Sequence, residues 1–316
     1  MNSFYKSSFA TDIIGMTQWR STLGYSEKCY RYELKKFDEF CSEKYPEADL
    51  LTWDIVSSYL EMVNARRDVH CSVVALRNLA KYQIMLGKEA CVFPVDFFSH
   101  KRKKLPHIMT DAECEKFFHA ADNYPPDTRN PLLEYTVPVI FRLMYATGMR
   151  PLEVRKLTRS DLDFEHDIIY IAESKGRKDR RIAVDHRLME MCRKYDNIAR
   201  SIYPQTQIFF TNRNRNMHDS CGLQRFFKKC WEFAGNPKNL EYCSPYILRH
   251  NFATKTLMRW IEEGKQLENY IPYLSAYMGH ETFRETYYYI HLLPDRIARL
   301  DYMNISDVIP EVSYEE

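Results

Sequence analysis

One histidine and three tyrosines near the end of the chain are residues whose types and spacing suggest chemistry. Gly279-His280 is followed by Tyr287, Tyr288 and Tyr289, with no proline or further glycine between them. One helix across this stretch would bring the histidine and a phenol within about three turns. A phenol can act as a covalent nucleophile. Three consecutive tyrosines also occur as packing residues, so this stretch alone does not decide the function.

Three basic residues upstream invite a joint interpretation with this stretch. Arg150 follows a tight glycine turn, Lys175 lies in a predicted hairpin turn, and Arg249 comes near the start of a predicted helix. A guanidinium group remains protonated and donates two hydrogen bonds, which suits the charge that develops on a phosphate under attack. Arginines, a histidine and a tyrosine together are therefore suited to cleaving a phosphodiester bond.

The composition indicates a globular protein of the reducing cytoplasm. The 316 residues are enough for two domains, and 28% of them are charged. Nine scattered cysteines without a Cys-x-x-Cys pair indicate neither a disulfide framework nor a zinc site. A signal peptide and apolar runs of about 18 residues are absent, so no membrane partner is expected. The net charge of +2 is too small to indicate nucleic-acid binding, which only local basic clusters could support.

The N-terminal part, residues 1–96, is predicted to be an all-helical domain. Apolar residues recur at helical spacing from Tyr25 to about Glu43, again after Thr52, and from His70 to Leu86. The sequence places about 25 residues before the first of these helices. A separate domain for binding DNA arm sites is therefore not expected.

A basic linker, residues 97–109, is predicted to separate this part from a second domain over 110–303. Lys101–Lys104 are four consecutive basic residues, either a solvated linker or one that also lies against phosphates. Thr110-Asp-Ala-Glu113 has the form of a capping box that would begin a helix. The acidic tail over 304–316 is expected to be disordered.

The second domain is predicted to be mixed, with helices around one small β-hairpin. An apolar helix over 132–146, with a possible bend at Pro138, ends in the Gly148 turn and is followed by a short helix with Glu153. Two short strands, Asp167–Ala172 and Arg181–Val184, flank a polar turn. Later helices are predicted over 186–200, 220–234, 246–260 and 270–290. The fold class is thus mainly α with a small β-hairpin or sheet.

Four sequence blocks of this second domain, in this order, resemble the tyrosine recombinase and phage integrase family. The blocks are Ala146–Val154, Ser174–Arg180, Leu248–Thr254 and Met278–His280 through Tyr289. The helical first domain resembles the SAM-like DNA core-binding domain of that family. The resemblance implies a site-specific DNA recombinase, an integrase or transposase of a mobile element, that acts on double-stranded DNA as a homo-tetramer. It would cut and rejoin DNA through a 3′-phosphotyrosyl intermediate.

The resemblance also implies a role for each matching residue. Arg150 and Arg249 would clamp the phosphate, and His280 would hydrogen-bond to it. Lys175, beside Arg177 and Lys178, would give a proton to the leaving 5′ alkoxide, because neighbouring cations lower the pKa of a lysine. Lys175 could also be an ordinary solvated lysine of the turn.

The family spacing assigns the nucleophile to Tyr289, nine residues after His280. On a helix, Tyr287 and Tyr288 lie about 200° and 100° away from Tyr289, so only one of the three is expected to point at a given phosphate. Tyr287 and Tyr288 remain rival candidates.

Tyr246 departs from the family pattern, which usually has a histidine three residues before the second arginine. That histidine is assigned to proton transfer with the nucleophile. A phenol has an ordinary pKa near 10, so it can donate a hydrogen bond to phosphate but is a poor base near neutral pH. The departure predicts slower or rerouted chemistry, or an inactive enzyme. His250 is either a structural residue of its helix or a partial replacement.

Glu153 and the C-terminal segment each leave two interpretations open. Glu153 lies where the family often has an acidic residue that orients the arginine or lysine, but it could also be an exposed helix charge. Ile297, Leu300 and Met303 could form a helix that docks on a neighbouring protomer.

No metal or other cofactor is expected. His280 and His291 belong to no recognisable metal-ligand motif, and a pocket of arginine, lysine and histidine would repel a divalent cation. The reaction that the resemblance implies needs no ATP, because the phosphotyrosyl bond retains the energy of the broken phosphodiester.

Two other functions remain open at the level of sequence. A non-catalytic site-specific DNA-binding protein on the same scaffold would bind DNA without a covalent intermediate. A type IB topoisomerase would share the chemistry but relax supercoils without pairing two sites.

Overall fold

The chain separates into two compact units, Met1–Lys103 and Lys104–Glu316. The computed structural model describes residues 4–25, 30–64, 69–94, 106–172, 179–236, 243–290 and 292–293. These residues form helices and one small three-stranded sheet, so the predicted fold class is confirmed. In these ranges, no helix has the length and apolar character needed to cross a membrane.

The described part of the first unit consists of helices packed around an aromatic core. Its helices are α1 (Ala10–Thr22), α2 (Arg31–Lys44), α3 (Trp53–Asn64) and α4 (His70–Met85). In the core, the ring centroids of Phe9 and Phe37 lie 5.3 Å apart, and those of Phe37 and Tyr59 lie 5.2 Å apart. The three aromatic rings therefore join the segment before α1 to α2 and α3.

Helix α1 corrects the expectation that the first helix begins near Tyr25. Its apolar pattern is weak, because Ile13 and Met16 are buried whereas Ile14 is exposed and Gly15 interrupts the series. Packing explains the glycine at position 15, since a Cβ atom there would collide with the hydroxyl of Tyr82 on α4. The close contact between α1 and α4 therefore explains a residue that lowers helix propensity.

The second unit surrounds a short antiparallel sheet with helices. The sheet has the order β1 (Leu162–Asp163), β2 (Ile168–Ile171) and β3 (Arg180–Ala183), with Ile169 opposite Ile182. The predicted hairpin is present, and β1 was missed because two residues give no readable alternation. The helices are α5 (Asp111–Asp122), α6 (Leu133–Thr147), α7 (Pro151–Lys156), α8 (His186–Ile202), α9 (Ser220–Phe233), α10 (Tyr246–Glu262), α11 (Leu267–Met278) and α12 (Phe283–Ile290).

Two local predictions in this unit are confirmed. The hydroxyl of Thr110 accepts a hydrogen bond from the Glu113 backbone N–H at 3.2 Å, and the Thr110 N–H donates to the Glu113 carboxylate at 2.8 Å. This capping box begins α5. The second is the end of α6 at Gly148. The φ of Gly148, +62°, is the left-handed conformation that glycine adopts without strain.

A core of aromatic rings holds α5, α6 and α9 together. The Phe117 ring centroid lies 5.5 Å from that of Phe141 and 4.9 Å from that of Phe227, and Phe227 stacks on Trp231. A second apolar cluster joins α10, α11 and α12 and includes Leu257, Ile271 and Ile290. These two cores fix the helices whose ends form the site.

The single helix predicted over 270–290 is wrong. Helix α11 ends at Met278, Gly279 has a φ of +67°, and α12 begins only at Phe283. A glycine in the left-handed conformation ends a helix because the N–H groups of the turn then bond to the last carbonyls of the helix. The prediction was wrong because helical apolar spacing continues on both sides of Gly279. His280 therefore lies in the turn between two helices.

Candidate active site

Arg150 is placed by the turn that ends α6 and begins α7. Its Nη1 donates to Oε1 of Glu153 at 2.9 Å, and its Nη2 donates to the Gly279 carbonyl at 2.6 Å. The backbone N–H of Arg150 also donates to the Glu153 carboxylate at 2.8 Å. The guanidinium is thus tied to its own helix and to the α11–α12 turn.

Arg249, on the first turns of α10, is buried between the ends of two other helices. It donates to the carbonyl of Gly148 and, at 3.0 Å, to that of Met278. The last carbonyls of a helix lack intrahelical partners and carry partial negative charge, so a cation stabilises them. Burial lowers the pKa of Arg249, and the neighbouring Tyr289 opposes that effect.

His280 follows Gly279 directly and is oriented by α12. Its Nδ1 lies 2.7 Å from the hydroxyl of Thr286. Burial and, to a smaller extent, the positive charge of Arg249 together lower the pKa of His280 to about 4. The imidazole is therefore neutral near pH 7, and one of its two nitrogens is already paired within the protein.

Tyr289 lies on α12 with only 4% of its surface exposed. Its ring stacks on His280, with centroids 6.0 Å apart and planes at 17°, and lies 5.6 Å from the ring of His250. Burial raises the pKa of the Tyr289 phenol, whereas its interaction with Arg249 lowers it. The phenol therefore keeps its proton near neutral pH and must lose it before or during a nucleophilic attack.

These side chains line one cleft of about 460 Å³. The lining residues are Arg150, Tyr246, Arg249, His250, His280, Glu285, Tyr288 and Tyr289. The cleft thus places two guanidinium groups, an imidazole and phenols around a space in which a phosphate could bind.

The three consecutive tyrosines have different surroundings. Tyr287 packs against the apolar cluster of α10, α11 and α12. Tyr288 is 37% exposed and lines the cleft together with Tyr289. Tyr289 in addition interacts with Arg249 and stacks on His280. Of the three phenols, Tyr289 thus has the most contacts with the charged and aromatic groups of the cleft, and Tyr288 stays a rival.

Tyr246 and His250 occupy different parts of the cleft. Tyr246 is the first residue of α10 and is 47% exposed, and it also lines a neighbouring cleft of about 540 Å³. The ring of His250 lies 5.6 Å from that of Tyr289, and burial lowers the pKa of His250 to about 4. Its Nδ1 is buried and has no hydrogen-bond partner among the described residues.

Glu153 is buried, with 8% of its surface exposed, so its interpretation as an exposed helix charge is wrong. Its carboxylate accepts hydrogen bonds from Arg150 and also from Arg180 on β3, at 3.0 and 2.9 Å. In the sequence, Arg180 stands out only as the last residue of the family block Ser174–Arg180. The two residues are 27 positions apart, so no local pattern indicates their contact.

Several predicted residues lie outside the described ranges. They are Lys175 with Arg177 and Lys178, the linker residues Lys101–Lys104, His291, and the C-terminal residues Ile297, Leu300 and Met303. Their roles stay predictions. Across the described ranges, no group of three or more histidine, cysteine, aspartate and glutamate residues is arranged to hold a metal ion.

Comparison with known proteins gives one consistent family. The model of the phage integrase family matches residues 107–296. The tyrosine recombinase XerC of Oceanobacillus iheyensis is 26% identical over 287 residues, which cover 86% of this chain and 87% of that protein. The chain therefore belongs to the phage integrase family, and the prediction of a site-specific recombinase is confirmed at this level.

Two solved structures show the same fold. The XerH site-specific recombinase, bound to a palindromic difH substrate, superimposes with a TM-score of 0.66 and 19% identity, covering 87% of this chain and 78% of XerH. The Tn1549 transposon integrase, in complex with transposon right-end DNA, gives a TM-score of 0.65 and 13% identity, covering 91% and 99% of the two chains. The likeness therefore extends over most of each chain.

Proposed function

We propose that this protein cleaves and rejoins double-stranded DNA at a specific site through a covalent link to Tyr289. The observation that carries the proposal is the single cleft in which Arg150, Arg249, His280 and Tyr289 meet. These residues come from the α6–α7 turn, α10, the α11–α12 turn and α12. Fixed cationic groups around a buried phenol suit in-line attack on a phosphodiester.

In the proposed reaction, the Tyr289 oxygen attacks the scissile phosphorus and the bond to the 5′ oxygen breaks. The product is a 3′-phosphotyrosyl link and a free 5′ hydroxyl. Arg150 and Arg249 stabilise the charge on the non-bridging oxygens. The pairing of His280 Nδ1 with Thr286 leaves Nε2 for the phosphate. Lys175 gives its proton to the leaving oxygen, and attack by a 5′ hydroxyl of the partner duplex reverses the link.

Removal of the proton from the Tyr289 phenol is the most demanding step of this reaction. Tyr246, where the family usually has a histidine, is a poor proton acceptor near neutral pH. We therefore propose that the Tyr289 proton passes to water or hydroxide, so that cleavage by the active enzyme is slow near pH 7 and becomes faster as the pH rises.

We further propose that the first unit and the catalytic unit both contact DNA and that four copies assemble on paired sites. The fold similarity to XerH and the Tn1549 integrase, both solved with DNA, supports the DNA partner. The tetramer and an origin in a mobile element rest on the family resemblance. Mass photometry of the protein with and without its DNA site would measure the stoichiometry.

The test is covalent trapping. A binding site is first selected from a random duplex library with the Tyr289→Phe variant, and a nicked suicide substrate is built on that site. Wild type is expected to give a protein–DNA band in a denaturing gel. Tyr289→Phe should remove that band, whereas Tyr287→Phe and Tyr288→Phe, which change the neighbouring phenols, should keep it.

Two results would contradict the proposal. A band that survives Tyr289→Phe but disappears with Tyr288→Phe would transfer the nucleophile to the rival. Sequence-specific binding by wild type without any covalent band would favour a non-catalytic DNA-binding protein on the same scaffold.

A further inference from the structure

We propose that Arg180 is a positioning residue for the phosphate clamp, because it holds both the carboxylate that orients Arg150 and the turn that carries His280. The inference rests on the proposed function and extends it to a residue outside the cleft. Arg180, on β3, would align Glu153 of α7 with the α11–α12 turn.

The guanidinium of Arg180 is engaged on all three of its nitrogens. Nη1 and Nη2 donate to the two oxygens of Glu153 at 3.0 and 2.9 Å, and Nε donates to the Tyr277 carbonyl at 2.9 Å. Only 9% of the side chain is exposed. A planar fork that binds both oxygens of a carboxylate fixes its orientation, which a point charge does not.

The carboxylate of Glu153 is shared by two arginines. Oε1 accepts from Arg180 Nη1 and from Arg150 Nη1, and Oε2 accepts from Arg180 Nη2 and from the Arg150 backbone N–H. Burial alone would raise the pKa of Glu153, but Arg180 and Arg150 outweigh it and the net shift is downward. Glu153 is thus a buried anion whose position depends on both partners, and loss of Arg180 frees Arg150 to tilt.

The second contact of Arg180 is with the turn after α11. A Cβ atom on Gly279 would lie 2.7 Å from Arg180 Nη1, so the guanidinium is packed directly against the backbone of this turn. On the other side, the Gly279 carbonyl accepts from Arg150 Nη2 at 2.6 Å. The turn is therefore held between two arginines, and His280 is its next residue.

Arg180 acts through these groups and is not itself positioned to bind the phosphate. It is absent from the side chains that line the cleft, whereas Arg150 and His280 are present there. Its nitrogens point to Glu153 and to Tyr277, which belong to the protein. Misplacing a catalytic group by about 1 Å can lower a rate by about 100-fold, so a residue behind the cleft can control the chemistry.

The experiment compares Arg180→Met and Arg180→Lys in the full chain, with Arg181→Met as the matched control. Arg181 is the next residue of β3 and is exposed. In single-turnover cleavage of the suicide substrate, Arg180→Met should be slower by about 100-fold. Arg180→Lys keeps the charge and should recover part of the rate. Arg181→Met should cleave as wild type does.

DNA binding separates positioning from direct contact. An arginine that contacts a phosphate contributes about one unit to the slope of log affinity against log salt concentration. Arg150→Met should lower this slope by about one, whereas Arg180→Met should leave it unchanged. A lowered slope with Arg180→Met would make Arg180 a phosphate ligand and overturn the proposal.

A readout that does not depend on cleavage distinguishes failure of this inference from failure of the proposed function. The titration of His280, followed by NMR in the full chain, should move from about 4 toward its ordinary pKa in Arg180→Met and move less in Arg180→Lys. Thermal unfolding of each variant confirms that it is folded. An unshifted His280 titration in Arg180→Met would overturn the inference, even if wild type gave no covalent product. A cleavage rate of Arg180→Met equal to that of wild type would also overturn it.

A double variant tests whether the two residues act as one unit. Removing one partner of a buried ion pair leaves an uncompensated charge, which is costly. Glu153→Gln combined with Arg180→Met should therefore lose less activity than the sum of the two single losses. Additive losses would show that Arg180 does not act through Glu153.

Discussion

The two arginines of the cleft are held by main-chain carbonyls before any DNA is bound. Arg249 donates to Gly148 and Met278, and Arg150 donates to Gly279. Each carbonyl lies at the end of a helix, where it has no partner within that helix. In the proposed reaction, a group fixed in this way would need no reorganisation when charge develops on the phosphate, which is the condition for strong electrostatic catalysis.

Replacement of Tyr246 tests the proton transfer at the residue scale. Tyr246→His supplies an imidazole at the rim of the cleft, and a positioned general base typically contributes 100-fold or more. We expect single-turnover cleavage at pH 7 to become at least about tenfold faster. Tyr246→Phe keeps the ring, removes the hydroxyl and serves as the control, with a rate no higher than wild type. An equal rate for Tyr246→His and Tyr246→Phe would show that another group accepts the proton.

At the scale of the element, the site depends on where helices stop. The end of α6 at Gly148 sets the start of α7 and Arg150, and the end of α11 at Gly279 sets His280. Both glycines have positive φ and both lie against a side chain, Phe252 for Gly148 and Arg180 for Gly279. A side chain at either position would therefore strain the backbone and displace a residue of the cleft.

Gly279→Ala and Gly264→Ala form a matched pair that separates backbone strain from the displacement of a residue of the cleft. Gly279 and Gly264 have φ values of +67° and +68°, but nothing lies within 4 Å of a Cβ atom on Gly264. The positive φ should lower the free energy of unfolding by about 1 kcal/mol in both variants, and Gly279→Ala should lower it further because its Cβ atom collides with Arg180. Only Gly279→Ala should slow cleavage strongly, by roughly 100-fold. Denaturant unfolding and the suicide-substrate assay measure the two effects, and equal cleavage losses in the pair would contradict the account.

Local sequence signals predicted the elements with clear caps or periodicity. The Thr110 capping box, α8 to α10 and the β2–β3 hairpin are examples. Helix α1 was missed because Gly15 serves a contact with Tyr82, and the break at Gly279 was missed because one helical pattern continues on both sides of it. Helix propensity therefore gave wrong helix boundaries at glycines whose role is set by tertiary contacts.

The candidate site was assembled from family motifs, and the structure brings Arg150, Arg249, His280 and Tyr289 to one cleft. The link between Glu153 and Arg180 could not be predicted in this way. It joins α7 to β3 across 27 residues, and its partners carry no periodic signal. Contacts of this kind depend on how elements pack, which local sequence does not specify.

At the scale of the whole molecule, His218, which is buried, and His250 and His280, which are partly buried, have lowered pKa values among the described residues of the second unit. Burial lowers the pKa of His218, His250 and His280 to about 4 each. In the unfolded chain, imidazoles have their ordinary pKa near 6.5. Between these values the unfolded state binds more protons than the folded state, so the folded state becomes less stable as the pH falls.

The free energy of unfolding should therefore be highest above about pH 6.5 and should fall progressively toward pH 4. Urea unfolding of the full chain at pH 7, 6 and 5 measures this dependence. His218→Asn removes one titrating group outside the cleft and should make the decline less steep. A free energy of unfolding that stays constant from pH 7 to pH 5 would contradict the assignment of neutral histidines.

The most direct test of the central claim is to locate the DNA on the protein. Trypsin cleavage after Arg284 and Arg296 releases one peptide, residues 285–296, that contains all three tyrosines. After trapping and nuclease digestion, tandem mass spectrometry of this peptide shows which phenol carries the phosphodiester remnant. We expect the remnant on Tyr289. A remnant on Tyr288, or unmodified peptide from a band that contains DNA, would contradict it.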